Sequence, residues 1–259
     1  MTISQKITPL MLDDPRKAMV GAHTYLRELI HNNTLPAGTI ISQVELANAL
    51  GVSRTPLREA LRRLQEEGLI ESEANRRCRV TGYRPEDLDS VYGTRLLVEA
   101  LAMRISVPLL RPNEVDELGH MLGAMDEASL ASREQGKGPN EDWRRIHRLF
   151  HFKMVSKAPP TLLAQYEALV MRSERYFLGM INTRHFQTLG REAEHVDLVN
   201  LIKAGNIDRL IVSTAEHRAR TAVALLADVA VDFEPVAIRA ALRMITAEAD
   251  ASSVWRSAA

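Results

Sequence analysis

Apolar positions at helical spacing dominate this chain, broken once by a pair of short strand-like segments. In SQVELANALG, Ser42 and Glu45 form an S-x-x-E capping box. Leu46, Ala49 and Leu50 make an apolar face, and Gly51 suits the C-terminal cap, so a helix is predicted from Ser42. In SRTPLREALRRLQEEG, Leu57, Ala60, Leu61 and Leu64 follow the i, i+3, i+4, i+7 rule. They predict a second helix, capped by Ser53 and stopped by Gly68. Pro56 falls in its first turn, where a missing N–H costs little. Leu69-Ile70-Glu71-Ser72 and Cys78-Arg79-Val80-Thr81 then read as two strands, with Ala74-Asn75-Arg76 as the turn between them. Two short helices followed by a hairpin is the order of a winged helix-turn-helix, which lays its second helix in the DNA major groove.

Gly82-Tyr83-Arg84-Pro85 punctuates the chain and marks a domain boundary. Beyond it nearly everything reads helical, over 85–107, 112–135, 140–156, 160–182, 190–204 and 207–231, with a last helix over 235–247. Six or seven helices in this length imply a bundle. The predicted fold is mostly α: a winged helix-turn-helix over residues 1–84 with a small β-hairpin wing, and an all-α bundle over 85–259.

Charge sharpens the reading of the first segment. Arg54, Arg58 and Arg62 recur every four residues on a face other than the apolar one, with Ser53 and Thr55 beside them. Such a stripe can meet phosphates and base edges, and arginine can grip guanine O6 and N7 through two hydrogen bonds. Arg76, Arg77 and Arg79 make the hairpin basic, which suits a phosphate ridge or the minor groove. The bland alternative is a solvated arginine face paired with Glu59, Glu66 and Glu67. Lys+Arg and Asp+Glu balance at 33 each over 259 residues, so the whole chain is not a general polyanion binder. Between Gly51 and Arg84, eight arginines face five glutamates, which places the surplus on the reader. The single Cys78, on a wing strand, excludes an internal disulfide framework and fits a reducing cytoplasm as a buried structural thiol. MTISQKITPLMLDD has no long apolar core, and no run of about 18 apolar residues exists, so neither a signal peptide nor a membrane span is expected.

The second segment carries its chemistry in histidines. His147 and His151 lie four apart on one predicted helix and point the same way, a spacing at which two imidazoles can share a divalent cation. His195 and His217 lie on successive helices joined at Ala204-Gly205-Asn206, at similar heights if the helices are antiparallel. The four can then converge across a bundle core, although a lone HxxxH is a weak motif and histidines in RIHR or AEHR can simply be solvated. His23, His31, His120 and His185 read as solvated. Glu194 and Glu216 directly precede His195 and His217 and are expected to point away from them on a helix.

Two family resemblances rest on these residues. LANALGVSRTPLREALRRLQEEGLIE resembles the N-terminal domain of GntR-family bacterial transcription regulators, and LPAGTIIS resembles the loop and strand that lead into its helix-turn-helix. The resemblance covers about residues 15–84 and implies that Arg54, Thr55 and Arg58 contact DNA. It departs at Arg77, where the family's wing usually has glycine. The later segment, over most of 85–225, resembles the FCD effector domain of the family's FadR branch. TRLLVEALAMRI resembles its first helix, with an R-x-x-x-E at Arg95 and Glu99. HRLFHFKMV resembles its D-x-x-F-H motif, and AEHVDLVNLIKAGNIDRLIVSTAEHRART resembles its closing helix pair. Many members of that branch bind a metal through one Asp and three His. The resemblance implies His151, His195 and His217 as ligands, with His147 in the place of the Asp. A second departure is Ala158-Pro159-Pro160, where the family often has Asn. The tail 233–259 extends past the pattern and is expected to pack on the bundle or a partner subunit.

The expectation is a ligand-responsive transcription regulator and no enzyme, with no catalytic residues. DNA contacts are expected from Ser53, Arg54, Thr55, Arg58, Arg62, Arg76 and Arg77. A divalent metal is expected at His147, His151, His195 and His217, zinc first and nickel or another transition metal as alternatives, because four neutral imidazoles suit such cations. A small carboxylate effector is expected near it, with Arg95 as cationic partner. The bland reading of Arg95 is an i,i+4 pair with Glu99, worth a few tenths of a kcal/mol. A homodimer on an inverted-repeat operator is expected, since one reading helix touches too few base pairs to define a site. The competing class is a metal-dependent helical-bundle enzyme with an appended nucleic-acid-binding domain. It lacks an HExxH, a nucleophile motif and a general base beside the histidines. A DNA-binding structural protein does not explain an effector-sized second segment.

Overall fold

The computed structural model describes residues 7–10, 17–31, 34–73, 77–82, 84–134, 140–180 and 192–257. Its internal contacts divide it into two units, residues 1–84 with 174–179, and residues 85–173 with 180–259.

In the first unit, α1 (Ala18–His31) precedes β1 (Ile40–Ser42), α2 (Gln43–Leu50), α3 (Arg54–Glu66), β2 (Ile70–Glu73) and β3 (Arg77–Val80). Both strands of the hairpin are shifted by one residue from the expected bounds. Its turn at residues 74–76 lies outside the described residues, and Arg76 with it. β3 is central in an antiparallel sheet of order β1-β3-β2, with Ile41 opposite Cys78 and Ile70 opposite Val80. The Ser42 hydroxyl accepts from Glu45 N at 3.4 Å, so half of the capping box forms as read, and Gly51 adopts the left-handed φ of 68° that ends α2. Ser53 occupies the cap of α3, but its side chain makes no capping bond. The buried face of α2 is Leu46, Ala47 and Leu50; Ala49 is only half-buried, one position from where the periodicity put it. α3 buries Leu57, Ala60, Leu61 and Leu64 as expected. These side chains join Ala22, Leu26 and Leu29 of α1 and Cys78 and Val80 of the sheet in one core.

α1 carries no assignment from the sequence. Its inward positions include Ala18 and Ala22, and Gly21 interrupts the pattern, so the periodic signal is faint although the helix packs extensively on α3. His23, expected to be solvated, is packed beside α3, and its Nε2 lies 2.6 Å from Glu67 Oε1.

The second unit comprises α4 (Pro85–Ser106), a 3-10 turn (Val107–Leu109), α5 (Pro112–Glu134), α6 (Glu141–Val155), most of α7 (Pro160–Met180, of which 174–179 group with the first unit), α8 (Glu192–Lys203), α9 (Ile207–Val229) and α10 (Val236–Ser257). α4 runs along both α9 and α10, and α5 along α6 and α8. α10 is ten residues longer at its C-terminal end than the expected helix. Asp89 of α4 explains how the tail docks. Its two carboxylate oxygens accept from Ala237 N at 2.8 Å and Ile238 N at 2.9 Å, capping the first turn of α10 from another helix. A Cβ on Gly93, one turn further along α4, would lie 2.8–2.9 Å from backbone and side-chain atoms of Ala237, so only glycine allows this approach. Among the described residues, no helix is long and apolar enough to cross a membrane.

Candidate DNA-reading surface and metal centre

The amphipathic pattern of α3 decides what it presents outward. With its leucines inside, Ser53, Arg54, Thr55, Arg58 and Arg62 are all exposed, as is Arg77 on β3. Arg54, Thr55, Leu57 and Arg58 line one groove with Gln43 and Val44 at the start of α2. The last two carry no sequence signal, because only the turn between the helices brings them beside α3. Arg62 is engaged by Glu59 at 3.4 Å and Glu66 at 3.2 Å, so the bland pairing describes that arginine's geometry. Glu67 instead pairs with His23 and Arg27. Arg79 pairs with Glu73 at 2.6 Å within the wing. Cys78 is buried and reduced, and loss of solvation pushes its thiol pKa up.

In the second unit α6 supplies His147 and His151, α8 supplies His195 and α9 supplies His217. The Gly205 turn, at a φ of 66°, makes α8 and α9 neighbours. One ligand atom from each of the four rings lies within 4.8 Å of the others, and His151, His195 and His217 are buried. All six ring pairs have centroids 4.6–6.2 Å apart. His147 Nε2 and His151 Nε2 are 3.2 Å apart, close to the about 3.3 Å edge of a tetrahedron with zinc–nitrogen bonds of 2.0–2.1 Å. Trp143 stacks on His147 at 4.6 Å, and the buried Phe150 sets its edge against His151 and His195, so the rings are held by packing.

The electrostatics favour a neutral imidazole at His151. Burial lowers the His151 pKa well below its ordinary value of 6.5, and Arg218 and the other three imidazoles add to the effect. Neutral imidazole is the form that ligates a cation. The donor set therefore fits a divalent ion with a preference for nitrogen: four convergent imidazoles, three of them buried, with His151 held neutral.

Beside the cluster lies a buried ion network. Arg218 grips Glu99 with two hydrogen bonds of 3.2 and 3.3 Å, and Arg95 Nε lies 3.6 Å from the same carboxylate. Burial alone would raise the Glu99 pKa, but Arg218 and Arg95 outweigh it and hold the carboxyl below its ordinary value. Burial, with Glu99 adjacent, pushes the Tyr166 hydroxyl up to about 12, so it remains a donor to Glu99 at 3.4 Å. Arg95 Nη1 donates to Ser173 Oγ at 2.7 Å, and Glu99 Oε1 lies 3.8 Å from His151 Nδ1. The Arg95–Glu99 contact is thus part of a buried network touching the histidine centre rather than a plain surface pair.

Comparisons with known proteins place both halves. Residues 20–80 match the family model "Bacterial regulatory proteins, gntR family", and residues 90–220, half of the chain, match the FCD domain. The chain belongs to the GntR family. Among relatives of this GntR regulator, YdhC of Bacillus subtilis strain 168, an uncharacterized HTH-type transcriptional regulator, is 27% identical over 211 residues, 81% of this chain and 78% of that protein. The HTH-type transcriptional regulator McbR of Escherichia coli K12 is 26% identical over 183 residues, 69% of this chain and 77% of that one. The solved structure of E. coli McbR/YncC shares the fold, with a TM-score of 0.64 at 20% identity over 82% of this chain and 98% of that one. A GntR structure from Rhodococcus sp. RHA1 does so at 0.61 and 21% identity, over 81% and 97%. The regulator is therefore a DNA-binding transcription regulator of the GntR/FCD type, and its families and relatives are regulators, not enzymes.

The sequence reading of this regulator missed two members of the centre. Arg218 follows His217 directly, yet its role needs Glu99, 119 residues earlier. Glu194 is adjacent to His195 on α8, yet its carboxylate reaches the centre through another ring. Its Oε2 lies 2.5 Å from His217 Nδ1 on the neighbouring helix. The expectation that Glu194 points away from the histidines is corrected at His217 by that contact. His120 is exposed as read, while His185 and the His31 side chain lie outside the described residues.

Proposed function

We propose that this GntR regulator is controlled by a small carboxylate metabolite that binds beside a divalent metal held by His147, His151, His195 and His217. The convergence of those four rings carries the reading. Residues 1–84 read DNA through Ser53, Arg54, Thr55, Arg58, Arg62, Arg76 and Arg77, and residues 85–259 bind effector and pair the subunits. With four neutral ligands and no coordinating carboxylate, the bound cation keeps its full charge, which favours zinc or a similar imidazole-loving ion and an anionic effector. Arg95 is the cationic partner for that anion. Its Nε makes no hydrogen bond among the described residues, and its pairing with Glu99 is longer than one, so a ligand carboxylate can compete for the guanidinium. Effector binding biases the bundle between two packings and so changes operator affinity.

The regulator acts as a homodimer on an inverted repeat. Leu97, Leu101 and Ile105 of α4 stand 40%, 54% and 36% exposed at a spacing of four, an apolar stripe suited to a second copy. Leu96 is buried in the bundle and takes no part in this face. Elemental analysis of untagged protein tests the centre, with near-stoichiometric transition metal expected. Thermal shift against a panel of small carboxylates, with and without chelator, tests the effector. A metal-free protein that takes up no zinc when offered it would remove the metal from the proposal.

A further inference from the structure

We infer that Glu194 is a positioning residue for the metal centre: it holds the His217 ring in the one tautomer that aims a lone pair at the other three imidazoles. The inference rests on the metal reading above. Neutral imidazole carries one N–H and one lone pair, and a partner on one nitrogen decides which is which. Glu194 Oε2 sits 2.5 Å from His217 Nδ1, so Nδ1–H donates to the carboxylate and the lone pair falls on Nε2. Nε2 is buried, on the side of the ring away from Glu194.

The carboxylate is itself anchored. Its other oxygen, Oε1, pairs with Arg220 Nη2 at 3.1 Å, and Arg220 lies three residues after His217 on α9. Glu194 is 31% exposed, outside the packed rings, while His217 is buried. It lies next to His195 on α8, so this one helix turn contributes one imidazole to the centre and the support of another. The coordinating set is neutral, because His147 stands in the centre with the other three rings. Negative charge then reaches the centre only through carboxylates behind the rings. Among the contacts of the described residues, Glu194 lies 2.5 Å behind His217, and Glu99, 3.8 Å behind His151, is already committed to Arg218. A carboxylate behind a ligating imidazole raises its basicity and fixes its orientation, and its loss typically costs tenfold to a hundredfold in metal affinity.

Zinc affinity of the full-length protein, measured by competition with a chromophoric chelator, tests this. E194A should bind zinc ten to a hundred times more weakly than the unsubstituted protein. E194Q, whose amide oxygen still accepts the Nδ1–H, should recover part of the loss and keeps the test valid if E194A folds poorly. Zinc binding by E194A within twofold of the unsubstituted protein would overturn the inference. Nitrogen-15 NMR of the histidine rings in metal-free protein supplies a readout that a general packing role would not move. His217 should be the Nδ1–H tautomer, and a mixture in E194A. If the protein takes up no zinc at all, the metal reading fails, yet the tautomer still decides the role of Glu194: an Nε2–H ring at His217 overturns it.

Discussion

Arg58 stands one helical turn after Arg54 on the exposed face of α3 and shares a groove with Gln43 and Thr55. Arg58→Ala should cost about 1–3 kcal/mol of specific operator binding, the worth of a bidentate base contact, while leaving the melting temperature nearly unchanged. Gel-shift titration at two salt concentrations checks it, and affinity should also fall with salt as phosphate contacts release counterions. The histidines make a prediction of opposite character. His151 is buried with its pKa below the unfolded value of 6.5, so the unfolded chain takes up a proton first as the pH drops. Stability of the metal-free protein is therefore complete above about pH 6.5 and declines below it. Denaturant midpoints in chelator at pH 8 and pH 5.5 should differ in that sense, and H151N should flatten the difference. At this scale the two histidine pairs were legible from spacing, because i, i+4 and the symmetric distances about Gly205 are local arithmetic, while the full ligand set came from the family resemblance. Glu194 and Arg218 were not legible, because each acts on a residue of another helix.

Helices are where hydrophobic periodicity reads best, and α2 to α9 lie within a few residues of their expected bounds. α1 was silent because Gly21 and the small Ala18 and Ala22 blur its inward pattern ahead of Leu26 and Leu29, and α10 was cut short by ten residues. Docking rather than propensity sets the position of α10. Asp89→Ala removes both acceptors for the first N–H groups of α10 and should cost about 0.5–2 kcal/mol, the usual worth of a lost cap. Gly93→Ala puts a methyl group where Ala237 already stands and should cost about 1–3 kcal/mol through overpacking. Chemical denaturation measures both losses. Limited proteolysis should place the first new cleavage in residues 230–257, and unchanged protection of that segment in both variants would show that the α4 contact does not hold it.

For the whole molecule, the equal totals of acidic and basic residues are misleading, since the reader carries a local positive surplus. Discrimination among genomic sites then calls for two readers on one operator. Leu101→Lys puts a charge in the middle of the exposed α4 stripe and should shift the dimer towards a 29.0 kDa monomer. Sedimentation at micromolar concentration reads the mass. An inverted-repeat operator should lose far more affinity than a single half-site. A dimer undisturbed by this change would place the pairing surface elsewhere.

What the sequence alone determined was most of what depends on neighbours within about a turn, with α1 and the Ser53 cap bond as exceptions. That covers the winged helix-turn-helix with its capped helices, the outward arginines of α3, the helical bundle and the paired histidine spacings. Helical periodicity, caps and turn glycines act over a few residues, so one strand of text contains them. Only the tertiary structure decided which buried charges meet. It put Glu99 between two arginines, set Glu194 behind a histidine 23 residues away, and brought Asp89 to cap a helix 148 residues later. Those contacts follow from helix packing, and packing depends on the shapes of whole faces rather than on any motif along the chain.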